Sequence, residues 1–161
     1  FLIGGVFKAT GNSAPGFLPA KAKYMMHDLI RWRTLLNLDL KLPTEGTPFP
    51  INSLQPMRVA MLCENRGQGE AFCKSIFAAY WGRGEDVSNP ETLNAIIQSV
   101  GLDPTKTLEA ANSPENKAAL RANTDEAVER GAFGAPSLFV GDQLFWGNDR
   151  IGLMLDYIAT L

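Results

Sequence analysis

The stretch RGAFGAPSLFVGDQLFWGNDRIG, residues Arg130 to Gly152, reads in order as a helix end, a proline, two short apolar strands around a tight turn, and a new helix. Gly131 suits a helix stop. Ser137–Val140 and Gln143–Trp146 alternate with the two-residue period of strands, and Gly141-Asp142 between them predicts a two-residue hairpin turn. Pro136 cannot donate to a ladder, so it marks a strand start or edge, and it drives Ala135 toward extended geometry. Spacing alone favours a trans Ala135–Pro136 bond, because only about 5–6% of X–Pro bonds are cis. Asn148 and Asp149 precede a closing helix on which Ile151, Met154, Leu155 and Ile158 share an apolar face. The pair reads in two ways. It is an N-cap that satisfies orphan amides, or, with those amides, a grip for the carboxylate and ammonium of a zwitterionic ligand. Arg150 reads as a surface or ion-pair residue.

Upstream of this stretch the period is helical. Pro19 suits a first helical turn, and Met25, Leu29, Trp32 and Leu36 form one apolar stripe on a helix of about four turns. A Pro-rich connection, DLKLPTEGTPFPIN (39–52), separates it from a second helical block. There Met57, Met61 and Cys63 share one helix, and Phe72, Ile76, Ala79 and Tyr80 share the next, divided by NRGQG. SNPETLNAIIQSVG, DPTKTLEAA and SPENKAALRANTDEAVERG each open on a cap residue plus Pro, and Gly101 and Gly131 serve as stops. The start, FLIGGVF, reads as the end of a strand, and a Gly/Pro/Asn/Ser-rich loop follows it. Because that start is apolar and opens on Phe1, part of the natural protein is expected upstream.

The 161 residues suit one domain or a small domain with an insertion. Net charge is −2, and no Lys/Arg run stands out, which argues against nucleic acid and anionic membranes as partners. No run approaches the ~18 consecutive apolar residues of a membrane span, and no secretory leader is visible, so a cytoplasmic setting is expected. Cys63 and Cys73 lack the spacing of a redox or zinc motif and read as buried thiols. No metal site is expected. His27 reads as a structural or surface residue, with no Cys or Ser partner identifiable. GNSAPG around Asn12 reads as a turn. Lys21 and Lys23 are a solvated face near a helix start, where a cation gains nothing from the helix dipole, and that is a weak hint of an anionic ligand.

Four blocks, GNSAPGFLPAKAKYMMHDLIRW, PFPINSLQPMR, AYWGRGEDVSNPETL and RGAFGAPSLFVGDQLFWGNDRI, occur in the order and at spacings similar to those of 2-hydroxychromene-2-carboxylate isomerases. These are relatives of kappa-class glutathione transferases and of DsbA-type thiol oxidoreductases, and the resemblance covers essentially all of Phe1–Leu161. It implies an α/β, thioredoxin-like domain with a large all-helical insertion. The expected division is 1–18 (remnant of the N-terminal part), 19–130 (helical insertion) and 131–161 (C-terminal hairpin and helix), with the first strand and helix missing. It also implies glutathione as cofactor. Ala135-Pro136 falls on the family's cis-proline step, where the backbone of the residue before proline pairs with the cysteinyl main chain. Asn148 and Asp149 fall where the γ-glutamyl end is held, and Asn12 and Lys21 match polar positions lining the glutathione and substrate site. The family's thiolate-stabilising Ser has no counterpart here and is expected upstream of Phe1, which leaves no catalytic side chain assigned. The implied activity interconverts 2-hydroxychromene-2-carboxylate and trans-o-hydroxybenzylidenepyruvate, on a small aromatic substrate, in a homodimer. A kappa-type transferase, a DsbA-like oxidoreductase and a non-catalytic glutathione-binding module are the alternatives.

Overall fold

The computed structural model describes residues 1–41 and 47–161, so part of the Pro-rich connection, 42–46, lies outside the described residues. The chain forms two compact units, Phe1–Ala14 with Arg121–Leu161, and Pro15–Leu120. The dividing points are thus 14/15 and 120/121, where the sequence suggested 18/19 and 130/131. The second division falls inside a helix because the C-terminal half of that helix packs with the terminal segments of the chain.

The first unit opens with α1 (Ile3–Thr10), not with the strand end expected from FLIGGVF. A continuous apolar run cannot by itself distinguish a buried strand from a buried helix. Here long-range packing decides: Val6 is fully buried, and the Leu2 amide donates to Thr124 Oγ1 at 2.9 Å. A Cβ on Gly5 would lie 2.9 Å from Thr124 Cγ2, so glycine allows the close approach. Thr124 lies on α7 (Pro114–Glu129). The hairpin β1 (Ser137–Val140) and β2 (Gln143–Trp146) follows with the expected bounds. It pairs antiparallel from Ser137↔Trp146 to Val140↔Gln143, and Gly141 in its turn has φ 57°. Arg130 ties the hairpin to the end of α7. Its guanidinium sits 4.1 Å from the Phe139 ring centroid and donates to Gly141 O at 3.1 Å. A short 3-10 turn, Asn148–Arg150, leads into α8 (Ile151–Ile158), whose Tyr157 ring packs 5.7 Å from Phe145.

The second unit is helical: α2 (Pro19–Leu35), α3 (Leu54–Glu64), α4 (Gly69–Phe77), α5 (Pro90–Ser99), α6 (Pro104–Ala111) and the start of α7. Prolines at the first turns fit where an amide would be orphaned anyway. Asn89, directly before Pro90, caps α5 by accepting from the Glu91 and Thr92 amides, while Ser88 turns back to Asp86. Asp103 caps α6 through the Lys106 amide. The core gathers Val59, Cys63, Phe72, Ala79, Tyr80, Val87, Leu93, Ile96, Ile97 and Ala111. The α2 stripe is only half-buried at Met25, Leu29 and Trp32, and Leu36 lies exposed just past the helix end. Both cysteines are free, Cys63 buried and Cys73 half-buried rather than buried. His27 is exposed on α2. Among the described residues, no helix is long and apolar enough to cross a membrane, and no three His, Cys, Asp or Glu side chains gather as a metal site.

Candidate functional site

The site in the first unit is built by hairpin register. Ser137 pairs with Trp146, and one step on the Gly147 amide donates to Pro136 O at 3.1 Å. One more pair beyond the strand ends is thus bridged, Pro136 to Gly147, with Ala135 before it in a bend and Asn148 after it in the 3-10 turn. Among the described residues neither the Ala135 N–H nor its C=O has a hydrogen-bond partner. Ala135 and Pro136 are exposed, and the bond between them is cis, against the trans form that spacing alone favoured.

Asn148 and Asp149 are exposed and their side chains cap nothing: neither the 3-10 turn nor α8 has a side-chain cap. The N-cap reading thus gives way, and both polar groups stay available. The first bond of the turn runs from the Arg150 amide to Gly147 O at 3.2 Å, which leaves the Asn148 and Asp149 amides ahead of it. Asp149 meets Arg150 at 3.6 Å, with both side chains half-exposed. Such a pair contributes only about 0–1 kcal/mol and does not tie up the carboxylate. Gly147 has φ 107°, and a Cβ there would run into the Asp149 carboxylate, so glycine lets that carboxylate fold back over the turn.

Asn12 plays a positioning part. Its Nδ2 donates to Phe133 O at 2.7 Å, and its Oδ1 accepts from the Ser13 amide at 2.8 Å. It thereby holds the loop that leads into Ala135-Pro136. Trp146 and Phe133, which the sequence reading passed over, form a wall beside this loop with ring centroids 4.9 Å apart. A Cβ on Gly134 would lie 2.5 Å from Trp146 Nε1, so the indole lies against bare backbone. The visible signal was the glycine directly before Ala135-Pro136. Lys21 belongs to the helical unit, exposed in the first turn of α2. The structure thus gathers Asn12, Ala135, Pro136, Asn148 and Asp149 in one unit.

Taken together, these groups offer a free backbone edge flanked by an acid, an amide and unpaired N–H groups. That set suits a short peptide with a zwitterionic end. The comparisons agree with this architecture. A DSBA-like thioredoxin domain model matches residues 1–159. A 2-hydroxychromene-2-carboxylate isomerase of Sphingobium xenophagum is 34% identical over 152 residues, covering 93% of this chain and 75% of that protein. Glutathione S-transferase kappa 1 of Homo sapiens is 29% identical over 164 residues, covering 95% and 73%. A solved structure of a 2-hydroxychromene-2-carboxylate isomerase superposes with a TM-score of 0.85 at 25% identity, covering 99% of this chain and 77% of that one. The chain belongs to the DSBA-like thioredoxin domain family, with 2-hydroxychromene-2-carboxylate isomerases and kappa glutathione transferases among its relatives.

Proposed function

We propose that this chain binds glutathione and acts as a glutathione-dependent isomerase that interconverts 2-hydroxychromene-2-carboxylate and trans-o-hydroxybenzylidenepyruvate. The observation that carries the reading is the exposed, unpaired Ala135 backbone beside the Pro136–Gly147 bridge, with Asn148 and Asp149 directly after Gly147. Those groups fit the tripeptide: the Ala135 N–H and C=O would hold its extended main chain, the Asp149 carboxylate its ammonium, and the Asn148 side chain and turn amides its carboxylate. Glutathione, when bound, supplies a thiol nucleophile. Asn12 keeps the Phe133–Pro136 loop in place. The relatives that carry the isomerase name supply the reaction class.

Calorimetric titration with glutathione, with Asp149→Ala alongside, tests the binding half. Loss of one charge-assisted contact should weaken affinity about tenfold or more. Unchanged affinity removes Asp149 from the site. The chemical half is tested by following the chromene acid spectrophotometrically with and without glutathione, where turnover should require it. A second reading, a transferase, draws on the kappa relatives. Conjugation of an aryl halide with no turnover of the chromene acid would favour that reading.

A further inference from the structure

The helical unit, Pro15–Leu120, holds a cavity of about 360 Å³ that the glutathione reading does not use. It lies among α3, α4 and the 49–53 segment. Phe72 and Val87, both buried, form its floor. Phe49 and Phe77, exposed by 48% and 61%, stand at its mouth. Its volume lies within the ~300–1,000 Å³ of small-molecule pockets.

Two features of the walls define the ligand. The first is a widened helical turn. After Phe77 the helix α4 continues as a π-helical turn, Ala78–Arg83, closed by the Gly84 amide on Ala79 O and Tyr80 O. Such turns recur at functional sites. This one brings two neighbouring aromatic residues to the same cavity: the Tyr80 and Trp81 rings meet edge-on at 4.9 Å, and Phe49 approaches Trp81 at 6.3 Å. The second feature is the lack of charge in its described lining: among the described residues no Lys, Arg, His, Asp or Glu lines the cavity. The Tyr80 hydroxyl is already engaged, donating to Pro48 O at 2.7 Å. The Ser53 hydroxyl and the Cys73 thiol complete the polar lining, and burial pushes that thiol up, which keeps it neutral.

We propose that this cavity is a binding site for a compact, uncharged aromatic molecule of two fused or linked rings. Edge-on aromatic walls and a neutral sulfur favour a π system over an aliphatic chain. A fatty acid or other anion finds no cation among the described wall residues to meet its head group.

N-phenyl-1-naphthylamine, uncharged and fluorescent when buried, is the probe, titrated without glutathione so that failure of the isomerase reading leaves this test untouched. The expected result is saturable binding of one probe per chain. Alkylation of Cys73 by iodoacetamide, read by peptide mass spectrometry, should slow about tenfold at saturation. The sulfonated analogue 8-anilino-1-naphthalenesulfonate should bind about tenfold more weakly. Ile76→Phe, which fills the cavity, should weaken the neutral probe by a similar factor. Should that variant not fold, the Cys73 protection in the unsubstituted chain decides. The proposal is overturned if Cys73 alkylates at the same rate with and without saturating probe, or if folded Ile76→Phe binds the probe as well as the original chain.

Discussion

In the helical unit the buried side chains are large and contiguous, with Phe72, Leu93, Ile96 and Ile97 packed into one cluster with Val59 and Cys63. In the unit that carries the hairpin, those buried are small, Val6, Ala127, Ala132 and Thr124. Its larger apolar residues on α8, such as Leu153 and Leu155, are more than half exposed. Its order comes instead from hairpin register, the Arg130 contacts to Phe139 and Gly141, and the Asn12 bond to Phe133. The difference teaches where each unit is vulnerable. Stability in the helical unit is distributed over apolar side chains and is lost by truncating them. The candidate binding edge depends on backbone geometry and is lost by changing a glycine or a tie.

The largest effect should come from Phe72→Ala. Removing a ring that is 1% exposed should cost about 3–5 kcal/mol, read as a drop in the urea midpoint. A much smaller loss would show that the adjoining cavity collapses around the deletion. Gly147→Ala attacks the other unit. Its φ of 107° and the Asp149 carboxylate over it predict a cost of about 1–3 kcal/mol, together with loss of glutathione affinity. If affinity survives while stability falls, the Asp149 position does not depend on the turn, and the proposed link between backbone and recognition breaks.

Asn12→Ala should cost about 1 kcal/mol and speed amide exchange across Phe133–Ala135 more than in α3 or α5, as seen by hydrogen-exchange mass spectrometry. Uniform exchange in both units would deny Asn12 its positioning part. The smallest effect concerns pH. The Ser88 hydroxyl, donating to Asp86 at 2.6 Å, holds that carboxyl below its ordinary value. The folded pKa is depressed, so the stabilisation is complete above the unfolded value and is lost as pH falls through the folded one. Ser88→Ala should therefore lower the thermal midpoint at neutral pH and converge with the original chain in acid. A constant difference at all pH values would assign the Ser88 contribution to its neutral hydrogen bonds.

The parts legible in the sequence share one property, that a few neighbouring residues decide them. Cap-plus-proline openings located α5, α6 and α7, and Gly101 and Gly131, at φ 78° and 91°, stood at helix ends as expected. The proline at the head of β1 and the Asn-Asp pair after β2 were visible as candidates, but their juxtaposition required the ladder to run on to Pro136 and Gly147. Trp146 was read only as a strand residue, because nothing local shows that it packs on Gly134.

By itself the sequence determined the hairpin, its turn, and the starts and stops of most helices, since steric limits on Pro and Gly, side-chain capping and two-residue alternation act within a turn or two of chain. Tertiary structure alone decided that FLIGGVF is a helix, that the α2 stripe is only half-buried, and that Asn148 and Asp149 cap nothing. It also decided that Phe49, Phe72, Cys73 and Trp81 share one cavity. Each of those outcomes depends on which distant surface covers a residue, and burial between residues far apart in the chain leaves no mark in local periodicity.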